Sequence, residues 1–319
     1  VISEKNMGKC GIITVGLSPA WDVVCSTEGL EWGQHRTVET VSQEPAGKSM
    51  NVSRALNWMG IESVAGGVWG KEDIAAAMAA IRKLKNIKAA FTAVDGRTRR
   101  NINLIDPVSG KELHLRFANE LANAKTIATV KKDVVKFVSR GDIVVFSGSL
   151  PGEYIKETLG LVEACRKVGG RIVVDSSGAG LKGMVKAGGL LLIKPNVEEL
   201  SELVGKNIAN TEAAIIKAVA GLLDKTAMVL VSRGAKGAIL VKKGIAISGC
   251  AVIDFAAFST LACGDYLLAG FLGAHSRGED LSICLSAGLK AATGKALGLG
   301  DMEWGKVAKK IKVEIRVRG

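Results

Sequence analysis

Short runs of consecutive apolar residues alternate with longer amphipathic stretches along this chain. Residues 10–16 (CGIITVG), 142–146 (DIVVF), 171–175 (RIVVD), 190–193 (LLLI) and 228–232 read as strands bounded by turn residues. Apolar residues recur at helical spacing over 50–59, 73–84, 154–168, 197–204 and 212–223. Continuous apolar strands separated by helices predict an α/β protein with a mostly parallel sheet covered on both faces. Two stretches break that rhythm. Residues 34–44 alternate in polarity, and 97–116 alternate on either side of a turn at PVSG, the pattern of a β-hairpin. They predict a small β-sheet flap, from segments at about 21–45 and 96–118, inserted into a single domain over 1–319. Residues 311–317 (IKVEIRV) alternate as well and predict an edge strand.

Composition narrows the classes. Of 319 residues, 48% are apolar, which excludes a disordered chain, and the 39 glycines follow no G-X-Y period. Apolar runs such as 190–193 are far shorter than the roughly 20 residues of a membrane span. The opening VISEKNMGKC has no apolar core of a secretory signal, so the expected location is cytoplasmic. Six scattered cysteines without CxxC spacing read as reduced thiols, and three histidines in unlike surroundings predict no metal site. The net charge of +12 calls for an anionic partner.

Candidate chemistry sits at the ends of the predicted elements. Residues 259–265 (STLACGD) lead into an apolar helix, whose first N–H groups form an anion site beside Asp265, a cap or a general base. Gly47 and Lys48 open another helix. They are not a P-loop, because Ser42 stands where GxxxxGK[ST] needs its first Gly. Lys194, Asn196 and Glu199 follow one strand, and Ser232, Gly234 and Gly237 another, where open parallel sheets bind ligands. Ser147 and Ser149 follow a third. On the flap, strand alternation places Arg99 and Asn101 on one face and Arg100 on the other.

The order of these segments resembles the ribokinase-like (PfkB) carbohydrate kinases, and most closely their phosphofructokinase and tagatose-6-phosphate kinase branch, over residues from about 11 to 300. SPAWD, ending at Asp22, is similar to N-P-A-x-D. AGKSMN, with Gly47, Lys48 and Asn51, is similar to G-G-K-G-x-N. Thr98, Arg99 and Asn101 match T-R-x-N of the lid, and 147–151 match S-G-S-L-P. Lys194, Asn196 and Glu199 match K-P-N-x-x-E, residues 232–237 resemble S-L-G-x-x-G, and 260–265 resemble T-x-G-A-G-D.

The resemblance implies a three-layer α/β/α, Rossmann-type fold with a small β-sheet lid. It implies a phosphotransferase acting on an alcohol group, with ATP as donor and Mg²⁺ held through Asn196 and Glu199. Asp265 becomes the general base, with Ala262, Cys263 and Gly264 forming the anion hole. Asp22, Gly47, Lys48, Asn51, Arg99, Asn101 and Ser147 become acceptor contacts, and Lys194, Asn196, Ser232, Gly234 and Gly237 nucleotide contacts. Lys48 and Arg99 favour a sugar phosphate, and fructose 1-phosphate, giving fructose 1,6-bisphosphate, is the acceptor expected first. Tagatose 6-phosphate, fructose 6-phosphate, a free sugar and a non-catalytic sugar-phosphate sensor are the alternatives. Neither nucleic acid nor membrane is an expected partner, and the flap's exposed face suggests a homodimer.

Four residues depart from the signatures: Ala46, Ser49 and Ala262 stand where the family has glycine, and Cys263 where it has alanine. A positive φ at residue 262 would strain its Ala. A thiol at a helix N-terminus is expected to have a depressed pKa and to react with oxidants.

Overall fold

The computed structural model describes residues 11–29, 31–252 and 260–318. The expectations placed on residues 1–10 and on Ser259 lie outside them. The strands are β1 (Ile12–Gly16), β2 (Ala20–Ser26), β3 (Glu39–Ala46), β4 (Ser63–Gly70), β5 (Ile87–Val94), β6 (Arg100–Ile105), β7 (Glu112–Leu115), β8 (Ile143–Ser147), β9 (Arg171–Asp175), β10 (Leu190–Ile193), β11 (Thr226–Ser232), β12 (Ala238–Lys242), β13 (Ile245–Val252) and β14 (Lys312–Arg318). The helices are α1 (Lys48–Trp58), α2 (Ile74–Ile81), α3 (Ala124–Val135), α4 (Ile155–Lys167), α5 (Gly178–Ala187), α6 (Val197–Val204), α7 (Glu212–Ala220), α8 (Cys263–His275), α9 (Leu281–Ala296) and α10 (Trp304–Lys310).

Ten strands form the main sheet, in the order β14-β13-β12-β11-β10-β9-β8-β1-β4-β5. It runs parallel from β5 to β11, and β12, β13 and β14 extend it antiparallel. Alternation along each strand divides the core. Val144 and Phe146 of β8 join the cluster under α3 to α7, while Ile143 and Val145 join the cluster under α1, α8 and α9. Strand order steps one way from β1 to β5 and the other way from β8 to β11. A crevice therefore opens at the C-terminal strand ends where the order reverses.

The small sheet has the order β3-β2-β6-β7. β6 and β7 are the hairpin expected from 97–116. The strand expected over 34–44 begins later, at Glu39, and pairs with β2, which polarity alternation did not reveal. One face of β2 is apolar: Trp21, Val23 and Cys25 pack on Trp69 and Ala77 of the main body. The Trp21 and Trp69 rings meet edge to face at 5.7 Å. Asp73, before α2, accepts hydrogen bonds from the Trp21 indole (2.8 Å) and the Thr98 N–H (3.2 Å), fixing the base of both lid segments.

At β1 the backbone of Gly67 lies so close to Gly16 that a Cβ on Gly67 would collide with it. Ser49 of α1 presses on the other side of Gly16, and a Cβ there would collide with the Ser49 hydroxyl. The hydroxyl that replaces the family's glycine at 49 thus occupies room that Gly16 leaves. Gly16→Ala is expected to cost about 1–3 kcal/mol by overpacking, and adding Ser49→Gly to recover most of it. Denaturant melts of the two single variants and the double variant measure the coupling.

Candidate functional site

A cleft of about 640 Å³ lies between the C-terminal strand ends and the polar face of the small sheet. Asp265 stands in the first turn of α8, almost fully buried, with its Oδ2 accepting a hydrogen bond from the Asn51 amide at 2.8 Å. It does not cap α8: the N-cap is Ala262, which makes no side-chain cap bond. Burial and then the charge of Asp175 push the Asp265 carboxyl up to about 7, against the pull of Asn51, Lys48 and Lys194.

Lys48 opens α1, after Gly47 at φ 104°. A Cβ on Gly47 would stand 3.1 Å from the Ser18 carbonyl, so both conformation and space demand glycine here. The Lys48 ammonium lies 3.5 Å from Asp175 and 4.0 Å from Glu199, and Asp175 above all holds its pKa above the ordinary lysine value. The buried Lys194 ammonium reaches the same Asp175 oxygen at 3.3 Å. Asp175, at the end of β9, is fully buried, and neither carboxylate oxygen receives a hydrogen bond of good geometry. Sequence reading passed over this residue. It was the last letter of an apolar strand, and both its partners are distant in the chain.

Asn196 and Glu199 form a reciprocal capping box at the start of α6. The Asn196 Oδ1 accepts from the Glu199 N–H (2.7 Å), and the Glu199 Oε2 accepts from the Asn196 N–H (2.9 Å). That leaves the other Glu199 oxygen directed toward Lys48. Ser232 pairs in a bridge with Asn196, which draws the ends of β10 and β11 together at the cleft wall.

From the small sheet, Asp22 and Asn101 lie opposite each other in register, joined by a 2.8 Å hydrogen bond from the Asn101 amide. Arg99 donates to the carbonyls of Pro19 (3.2 Å) and Phe117 (2.8 Å). Partial burial lowers its pKa. Arg116, His114 and Asn103 join these residues on the cleft wall, Arg100 is exposed, and the sequence reading had singled out none of the first three.

The structure places the remaining expected residues as follows. Ser147 is buried, and the neighbouring Gly148 and Ser149 line the cleft instead, because Ser147 still belongs to the sheet. Gly234 and Gly237 are not among the described residues that line the cleft. Gly237 sits where a Cβ would collide with Gly249, a packing reason for glycine. Burial pushes the Cys263 thiol up, outweighing the pull of Lys295, where a helix N-terminus was expected to lower it. Ala262 does have a positive φ, 62°, and no other non-glycine among the described residues has one.

The pfkB family carbohydrate kinase profile matches residues 11–301. The chain belongs to this family. It is 27% identical to the 1-phosphofructokinase of Haemophilus influenzae, covering 91% of this chain and 94% of that one. It is 28% identical to the ATP-dependent 6-phosphofructokinase isozyme 2 of Escherichia coli, covering 91% and 93%. The fold superposes on the Escherichia coli phosphofructokinase-2 crystallised with fructose-6-phosphate, with a TM-score of 0.83 at 23% identity, covering 94% of this chain and 99% of that one. The protein is thus a carbohydrate kinase, a phosphotransferase with an alcohol group as acceptor, built on a three-layer α/β/α body with a small second sheet.

Two predictions follow from the start of α8. A carboxyl whose folded pKa is raised from 3.8 to about 7 adds stability below pH 3.8 and loses it as pH rises through 7. Asp265→Asn is therefore expected to melt about 2 °C or more above the parent chain at pH 8, with the gap closing toward pH 4 in thermal scans. Ala262→Gly relieves the left-handed strain and is expected to leave the melting temperature unchanged or higher. The same exchange at exposed Ala128 of α3 should cost about 1 kcal/mol.

Proposed function

We propose that the cleft transfers the γ-phosphate of ATP to a hydroxyl of a sugar phosphate, with fructose 1-phosphate as the acceptor and fructose 1,6-bisphosphate as the product. The observation that carries this reading is the buried Asp265 carboxylate, held by Asn51 beneath a wall that carries Arg99 and Arg116. A carboxyl poised near neutrality is matched to removing a proton from an alcohol. A neutral sugar needs hydroxyl partners such as Asp22 and Asn101. The guanidinium groups add charge-assisted bonds that only a phosphorylated acceptor uses.

In this mechanism Asp22, Asn51 and Asn101 orient the acceptor so that its hydroxyl faces Asp265, which takes the proton as the oxygen attacks phosphorus. The Gly264 N–H, in the first turn of α8, would face the charge on the transferring group, while the Cys263 N–H donates to the Thr260 carbonyl at 3.4 Å. Lys48 and Lys194 add positive charge beside that turn. Catalysis is positioning and electrostatics, as phosphoryl transfer requires. The chain also fits a Mg²⁺ ion: Asp175, whose oxygens receive no hydrogen bond of good geometry, and the Glu199 oxygen outside the capping box are hard donors that would hold it through water. When bound, Mg²⁺ would neutralise the triphosphate. The small sheet would act as a lid that excludes water over the acceptor.

The test is a kinase assay on fructose 1-phosphate, fructose 6-phosphate, tagatose 6-phosphate and unphosphorylated sugars. Highest kcat/KM on fructose 1-phosphate is expected, and binding without turnover on every acceptor would refute an active kinase. Arg99→Ala is expected to raise KM for the sugar phosphate about tenfold or more and leave KM for ATP nearly unchanged. Equal changes in both would remove Arg99 from the acceptor site.

A further inference from the structure

Lys295 belongs to none of the segments that the sequence reading singled out. It lies in the last turn of α9, yet its half-buried side chain lines the cleft. Its ammonium sits over the Tyr266 ring, 5.7 Å from the centroid, in the first turn of α8. The first turn of α8 is thus flanked by two lysines. On the Gly264 side stands Lys194, 3.2 Å from where a Cβ would be; on the Cys263 and Tyr266 side stands Lys295.

The two differ in their counter-ions. Lys194 and Lys48 share Asp175, and Arg54, which also lines the cleft, pairs with Glu44. Among the described residues Lys295 has no carboxylate within ion-pair distance. An aromatic face holds a cation in place without neutralising it. A half-buried ammonium without a counter-ion is costly, and an anion entering the cleft offsets that cost. The Lys295 charge also acts on the Cys263 thiol, which places it within electrostatic reach of the helix N-terminus.

We propose that Lys295 is the protein's counter-ion for the terminal phosphate of the nucleotide at the α8 N-terminus, a role that rests on the kinase reading above. The Tyr266 ring positions the ammonium in the cleft, and the incoming phosphate becomes its partner. The other cleft lysines start out partly neutralised by Asp175, whereas Lys295 brings its full charge.

Calorimetric binding of ATP and AMP to the intact protein, its Lys295→Gln variant and its Lys295→Arg variant tests this. Lys295→Gln is expected to weaken ATP about tenfold and leave AMP unchanged, and Lys295→Arg to restore most of the loss. Equal weakening of ATP and AMP, as a packing role on Tyr266 would give, overturns the proposal. So does unchanged ATP binding, or a rise confined to KM for the sugar phosphate. A parent protein that binds ATP but phosphorylates no acceptor would sink the kinase reading alone, and the ATP–AMP comparison would still decide the role of Lys295.

Discussion

The cleft depends on one buried charge. Asp175 sits at the end of a fully buried strand with a lysine on each side, Lys48 from α1 and Lys194 from the end of β10. A carboxylate in such a place is tolerated only with cations at hand. Holding it there draws together the start of α1 and the ends of β9 and β10. The same charge raises the Lys48 pKa and adds to the rise that burial gives Asp265. Removing Asp175 would leave two ammonium groups facing each other, with Glu199 the carboxylate within ion-pair distance of Lys48. A change at this residue would therefore alter the cleft's charge balance as well as its shape.

Much of the fold was legible because the strands of a doubly covered sheet are continuous apolar runs. β8, β9 and β10 announced themselves in that way. β4, with the sequence SVAGGVWG, did not, since its glycines serve close approach to β1 and leave no apolar pattern. β2 fell within the expected flap segment of about 21–45, but its own alternation was not read as a strand. In the site, Asn196 and Glu199 carried a local signature, the Asn-x-x-Glu of a capping box, and the structure forms it. Asp175, Arg116 and Lys295 carried none. What makes each notable is a neighbour far away in sequence, which spacing within a segment does not encode. For Ser147 and Cys263 the burial that the sequence did not encode comes from the surrounding fold.

The departures in the signature loops are absorbed in different ways. Ala46 is buried at the end of β3, and the Ser49 hydroxyl takes the room above Gly16. Ala262 keeps the left-handed backbone that glycine would adopt freely, at a cost of roughly 1–2 kcal/mol. A turn that holds its geometry against that cost is fixed by its surroundings. The N–H groups that follow it are consequently pre-set in direction, that of Cys263 toward the Thr260 carbonyl.

The antiparallel arm of the main sheet has a consequence for the surplus positive charge. β14 is its outermost strand, and an open strand edge is a template on which another chain can pair and aggregate. Its alternate residues are Lys312, Glu314, Arg316 and Arg318, with Glu314 close to Arg316 and Arg318 reaching Glu212 of α7. An incoming strand would have to desolvate this row of charges. Part of the +12 therefore serves as a guard on an exposed edge, keeping neighbouring molecules apart far from the cleft where phosphate would bind.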